Sequence, residues 1–279
     1  MGIVMAKTSF STWFLYRTLP GRFLLKFLTR PALSRAAGSF LSSRLSRFLV
    51  PFYVKACHLD LSLCETTDFQ TFNDCFTRKY RSEVRPIDPD PAALICPCDG
   101  LLSVYPIQDH TVLPVKQSLY TIPDLLGDPA LAEAFEGGLC LVFRLQVTDY
   151  HRYFYPDSGR VLLHKKIPGL LHTVRPIALR NIPVFTENAR EINLLDTDHF
   201  GRICQIEVGA LMVGRIENDL PENPAGFSFS RGQEKGRFLF GGSTIILLLQ
   251  KGQAKIKTGL LARSGRGLET PVQFGEKIN

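Results

Sequence analysis

Four residues stand out by type and by what surrounds them. Asp99 lies in "CPCDG" (96–100), His151 in "DYHRYFYPDSG" (149–159), His172 in "PGLLHTVRP" (168–176) and Ser243 in "FGGST" (240–244). A carboxylate, an imidazole and a hydroxyl are the set that makes a hydroxyl nucleophilic. The carboxylate orients the imidazole, and the imidazole takes the proton. Each stretch also has a plain structural account. Asp99-Gly100 suits a turn, and His151 among Tyr150, Arg152, Tyr153 and Tyr155 suits a half-buried packing residue. His172 suits a strand end, and Gly241-Gly242 a bulge where a strand begins. Least ordinary is Ser243, with two glycines pressed against it and the apolar run "TIILLL" behind it.

The elements that must hold these residues change in texture along the chain. "FSTWFLYRTLPGRFLLKFLTRP" and "AGSFLSSRLSRFLVPFYVKACHL" carry aromatics and leucines at helical intervals with Arg or Lys between them. They predict short amphipathic helices broken near Pro20-Gly21, Pro31 and Pro51. "FQTFNDCFTRKY" predicts one more helix, and "YTIPDLLGDPALAEAFEGG" a small helix in a connection. "GLCLVFRLQV", "GRVLLHKKI", "RICQIEVGALMVGRI", "GRFLFGG", "STIILLLQKG" and "KIKTGLL" predict strands. The expected fold class is α+β: N-terminal amphipathic helices (1–67), then a β-rich, mostly antiparallel catalytic core (68–279).

The 279 residues are enough for a full core, and 45% hydrophobic with 21% charged residues excludes a disordered chain. No apolar run nears the ~20 residues of a spanning helix, and the start of the chain lacks the layout of a signal peptide. Seven irregularly spaced cysteines point to a reducing compartment. Cys96 and Cys98 have no second pair to complete a metal site, so no metal is expected. Charge is lopsided. Nine basic residues (Lys7, Arg17, Arg22, Lys26, Arg30, Arg35, Arg44, Arg47, Lys55) precede the first acidic one, Asp60. The other 24 basic residues face all 26 acidic ones, so the net charge of +7 belongs to the first fifth of the chain. Such a block suits an anionic membrane surface. It also suits a helical cap with a solvated basic face. Nucleic acid fits less well, because aliphatic bulk separates the basic residues.

Taken together, the motifs resemble the phosphatidylserine decarboxylase family over about residues 68–279. "FNDCFTRKYRSEVRPID" is similar to that family's FNDFFTRKL…RPID, "CPCDG" to its SPADG and "DYHRYFYPDSG" to its DYHRxHxPxxG. "NAREINLL…GRICQIEVGALMVGRI", "KGRFLFGGST" and "GLETPVQFGEKI" also fit. The resemblance implies a proenzyme in which Ser243 attacks the carbonyl of Gly242 and splits the chain into 1–242 and 243–279. Ser243 then becomes a covalent pyruvoyl group, the cofactor. Glycine before the serine leaves the acyl carbon open to attack and tolerates a strained turn.

The implied reaction converts phosphatidylserine to phosphatidylethanolamine with release of CO2. The pyruvoyl carbonyl takes up the substrate amine and serves as electron sink. Asp99, His151 and Ser243 are the implied catalytic residues, with His151 as general acid. Expected partners are the phospholipid, an anionic membrane surface and the two cleavage chains, with a homo-oligomer left open and nucleic acid excluded. The expected location is peripheral, at the cytoplasmic face of the cell membrane. One position departs from the pattern: Phe154 stands where the family carries a second histidine. Either His151 serves both steps, or His172 replaces the missing imidazole, or the protein no longer matures. In the last case it is a non-catalytic lipid-surface protein of the same fold. A decarboxylase of another amino-acid-headed lipid is a further alternative.

Overall fold

The structure, a computed structural model, describes residues 14–15, 18–29, 31–108, 113–115, 118–174, 178, 182–210, 215–240 and 243–279. Trp13, Lys7, Arg17, Arg30 and the Gly241-Gly242 pair lie outside them. The strands are β1 (Gly100–Pro106), β2 (Leu113–Val115), β3 (Ser118–Tyr120), β4 (Leu139–Leu145), β5 (Arg152–Phe154), β6 (Gly159–Ile167) and β7 (Arg190–Thr197). They continue with β8 (Gly201–Val208), β9 (Ile216–Asn218), β10 (Ser228–Phe229), β11 (Glu234–Phe238), β12 (Ser243–Leu249) and β13 (Thr270–Val272).

Eight of these form one sheet in the order β10-β6-β7-β8-β12-β4-β1-β13, antiparallel at every pairing. β12 runs through its middle, between β8 and β4, and every residue from Ser243 to Leu249 is fully buried. That explains its uninterrupted apolar run, since both faces of the strand are covered. β7 and β8 alternate instead. Glu191 and Asn193 on β7, with Gln205 and Glu207 on β8, point to one face, and Ile192, Leu194, Ile206 and Val208 to the other.

A second sheet, β5-β11-β9, lies over the polar face. Lys235 of β11 reaches Glu207 at 3.0 Å, both residues wholly buried, and Asn218 of β9 donates to Glu191 at 2.8 Å. The opposite face meets the helices Ile122–Leu126 and Pro129–Glu133, capped by Thr121 and Asp128. Arg190 binds the Leu125 and Asp124 carbonyls there at 2.7 and 2.9 Å. The class is α+β with a mainly antiparallel core.

The N-terminal helices are Leu19–Leu28 and Pro31–Leu41, followed by a 3-10 turn at Arg44–Leu49 that runs into Val50–Cys57. Pro20, Pro31 and Pro51 sit in first turns, where the missing N–H costs nothing. The inner face of this region buries Leu41, Ser46 and Tyr53 against Phe69, Phe72 and Phe76. Its outer face leaves Leu45, Phe48 and Phe52 exposed, at 76%, 61% and 70%. Among the described residues no helix is long and apolar enough to cross a membrane.

One expected strand is a helix. "KIKTGLL" leads into Thr258–Gly265, and the next strand, β13, follows it. Leu260, Leu261 and Ser264 share one side of this helix. The first two pack on the core, and the Ser264 hydroxyl accepts from the β1 backbone at Val104 N, 2.9 Å. β1 and β7 run through stretches that were legible only as motifs, not as strands.

Candidate active site

Antiparallel pairing brings distant motifs to one end of the large sheet. Ser243, the first residue of β12, is opposite Leu145, the last of β4. Leu101 is opposite Arg144, so Gly100 and Asp99 at the start of β1 lie at the same end. Gly100 is required here. Its φ is +151°, and a Cβ would come within 2.9 Å of the Arg144 carbonyl oxygen. The glycine of "CPCDG" thus lets β1 close against β4, with Asp99 held at the rim.

Ser243 is fully buried, and its Oγ has no hydrogen-bond partner among the described residues. A buried hydroxyl left so costs about 1–3 kcal/mol, so packing alone does not favour serine at this position. The preceding segment is anchored on both sides. Phe240 N donates to Asn73 Oδ1 at 3.1 Å, and the Phe240 ring meets Phe76 edge-on at 5.2 Å. Asn73 and Phe76 belong to the helix Phe72–Phe76, which a Thr71–Asp74 capping box starts.

The same Phe76 ring packs against His151 at 4.0 Å between centroids. His151 is wholly buried, and its own carbonyl accepts from Phe238 N at 2.9 Å. Its Nδ1 lies 2.9 Å from the Asp149 carbonyl oxygen. A carbonyl only accepts, so Nδ1 carries the proton and Nε2 is the basic nitrogen of the neutral ring. The Asp149 side chain closes the turn by accepting from Gln146 N at 2.7 Å. Burial pushes the Asp149 carboxyl above its ordinary value; the Gln146 hydrogen bond opposes this and the charge of Asp99 adds to it.

Asp99 is held differently from the triad expectation. Its carboxylate takes the fork of Arg85, with Nε at 3.0 Å and Nη2 at 2.6 Å, and accepts from Phe274 N at 2.8 Å. The hydrogen bond on His151 Nδ1 ends on a backbone oxygen. Arg85 went unremarked in the sequence, although it sits in "RPID". Asp99, Arg85, Asp149, Tyr80, Tyr150 and Gln273 line a cleft of about 450 Å³.

Phe154, at the position of the family's second histidine, is stacked on Phe274, whose N–H donates to Asp99. His172 is buried in the stretch after β6, and burial lowers its pKa from the ordinary value. Its Nε2 is 3.4 Å from a Glu187 carboxylate oxygen. Asn188 Nδ2 donates to both the His172 carbonyl (2.8 Å) and the Gly209 carbonyl (2.7 Å). Gly209 follows Val208, the partner of Thr244. His172 therefore belongs to Ser243's end of the sheet.

Comparison with known proteins shows the family. Residues 72–279 match the family described as phosphatidylserine decarboxylase. The chain is 40% identical to phosphatidylserine decarboxylase proenzyme 2 of Clostridium acetobutylicum, covering 95% of this chain and 90% of that one. It is 38% identical to the phosphatidylserine decarboxylase proenzyme of Clostridium perfringens, covering 98% and 94%. The family match spans Asp99, His151 and Ser243, and the chain belongs to the phosphatidylserine decarboxylase family.

Proposed function

We propose that this protein is a proenzyme that splits itself between Gly242 and Ser243 and then decarboxylates phosphatidylserine to phosphatidylethanolamine. The observation that carries the reading is the Ser243 hydroxyl: fully buried, without a hydrogen-bond partner among the described residues, at the first position of the central strand. Ser243 also fits as the residue that becomes the pyruvoyl group, because β4 and β8 hold its strand on both sides and no hydrogen-bond partner among the described residues competes for its oxygen. A pyruvoyl group there supplies the electron sink for loss of CO2.

The chain's own residues supply the rest. His151 Nε2 takes and returns protons, with the ring's direction set from Nδ1. Asp99, held by Arg85, places a fixed negative charge at the rim of the cleft. His172 is the candidate for the relay step that a second histidine would serve. Leu45, Phe48 and Phe52, with exposed Arg44 and Lys55 beside them, form the surface that rests on an anionic bilayer at the cytoplasmic face.

Mass spectrometry of the purified protein tests this. Two chains, 1–242 and 243–279, the smaller beginning with a pyruvoyl group, are expected. One intact chain of 31.3 kDa would overturn it. That result would favour a second reading, a lipid-surface protein that does not mature, which the Phe154–Phe274 stack supports.

A further inference from the structure

Arg78 is a buried cation of unusual company. It is 2% exposed, yet no carboxylate pairs with it among the described residues. Its guanidinium donates to the Tyr80 hydroxyl (2.9 Å), the Thr148 carbonyl (3.0 Å), and the Asp149 and Phe76 carbonyls (both 3.4 Å). A guanidinium without a counter-ion is expensive to bury, even with its hydrogens satisfied. Joining two segments does not by itself require a charge.

What distinguishes the site is one of those acceptors. The Asp149 carbonyl oxygen that takes a hydrogen from Arg78 also takes the Nδ1 hydrogen of His151, at 2.9 Å. The stitching is reciprocal, since Arg152 Nε, next after His151, donates to the Thr77 carbonyl at 2.8 Å. Between the two arginines the imidazole lies flat-tilted on Phe76, 4.0 Å away. Both carbonyls are taken by one nitrogen, Nη2, and its direction is set because Nε and Nη1 of the same plane are held by the Tyr80 hydroxyl and the Phe76 carbonyl, a bracing that a single ammonium lacks.

We propose that Arg78 is a positioning residue for His151: its guanidinium holds the Thr148 and Asp149 carbonyls so that the Asp149 oxygen selects the Nδ1–H tautomer and leaves Nε2 basic. This rests on the reading of His151 as the proton carrier. Without Nη2 the Asp149 carbonyl loses the donor that braces it, and the ring is held less firmly to the acceptor that decides which nitrogen carries the hydrogen.

The test uses the full chain with Ser243→Ala, which stays in one piece, and reads the imidazole nitrogens by 15N NMR, with His151 assigned by loss of its signals in His151→Gln. The parent is expected to show one tautomer, Nδ1–H. Arg78→Met should weaken that bias roughly tenfold, the worth of about one hydrogen bond. Arg78→Lys keeps the charge and should relax the bias as well, because an ammonium has no planar group braced on Tyr80 and Phe76 to aim it; it decides the matter if Arg78→Met does not fold. A folded variant of either kind that keeps the parental tautomer overturns the proposal. The measurement does not depend on catalysis, so a natural chain that never splits would remove the functional reading and leave this one standing.

Discussion

The ring of Phe154 lies stacked on that of Phe274, 3.6 Å between centroids and 13° from parallel, and the N–H of Phe274 donates to Asp99 at 2.8 Å. The family's second histidine would stand at this place, one ring away from the carboxylate. If the chain splits itself, this apolar replacement leaves the step to another group. If His172 has taken the role, His172→Ala is expected to leave one chain on a gel, while Phe154 tolerates Leu. The double variant Phe154→His, His172→Ala should regain splitting. Normal splitting in His172→Ala would return the step to His151.

Ser243→Ala should give one chain without decarboxylase activity, because alanine has no nucleophile and cannot become a pyruvoyl group. It should also be more stable than an unsplit serine chain, by about 1 kcal/mol, since it removes a buried hydroxyl with no partner among the described residues. Urea unfolding of the serine and alanine chains, both carried in the same non-splitting background, checks the sign. A less stable alanine variant would mean that the hydroxyl is satisfied.

Glu207 and Lys235 are both wholly buried and 3.0 Å apart, with Asn193 and Asn218 also donating to the carboxylate. Burial pushes the Glu207 carboxyl up and the Lys235 ammonium down from their ordinary values. Removing one partner strands the other. In the Ser243→Ala background, Lys235→Met should cost about 3–5 kcal/mol by urea unfolding. Lys235→Met with Glu207→Gln should recover most of it, because the amide keeps the asparagine contacts without a charge.

His172 sets a pH signature. Burial holds its pKa below the ordinary 6.5. Between that value and the depressed one the unfolded chain binds more protons, so stability rises with pH through this window. The contribution is complete above about 6.5 and is lost as the pH falls toward the folded-state pKa. His172→Gln should flatten the melting temperature against pH in this range. An unchanged slope would mean that folding does not shift the His172 pKa, and a steeper rise with pH would mean that it is charged in the fold, paired with Glu187.

Binding to vesicles should depend on the outer face of the N-terminal helices. Leu45, Phe48 and Phe52 recur at helical spacing and are exposed, so replacing all three by serine should weaken flotation with phosphatidylglycerol vesicles without lowering the melting temperature. Deleting the segment is a poorer test, because Tyr53 is buried and donates to the Val147 carbonyl at 2.7 Å. Full binding by the triple variant would leave this region as a packing cap.

Much of this was legible in the chain itself. The run "STIILLL" announced a buried strand, and the prolines at 20, 31 and 51 marked breaks between helices, which in the structure fall in first turns. The catalytic candidates were visible because side-chain chemistry is written in residue type. Their fixings were not. Which carboxylate faces which imidazole depends on register, and only pairing of β1 and β12 with β4 shows that Asp99 and Ser243 share an end. His151 is oriented by a backbone oxygen, which no motif can display. The helix at Thr258–Gly265 read as a strand because "KIKTGLL" alternates, while the packing that makes it helical comes from the core it touches.

The position of β12 has a consequence for the life of the protein. A cut before Ser243 would leave residues 243–279 held to the rest by non-covalent contacts, among them the ladders of β12 and β13 and the Arg144–Glu269 and Lys277–Asp90 ion pairs, with β12 at the centre of the sheet. In the uncut chain the tether keeps that piece at an effective concentration in the millimolar range. Once cut and unfolded, the two pieces meet only by diffusion, and at micromolar dilution the long apolar strand aggregates before it finds its slot. Unfolding would then show hysteresis after maturation and none before it. The peptide bond at 242–243 would serve as an assembly tether used once, and the finished enzyme would owe its persistence to slow unfolding rather than to an equilibrium it can revisit.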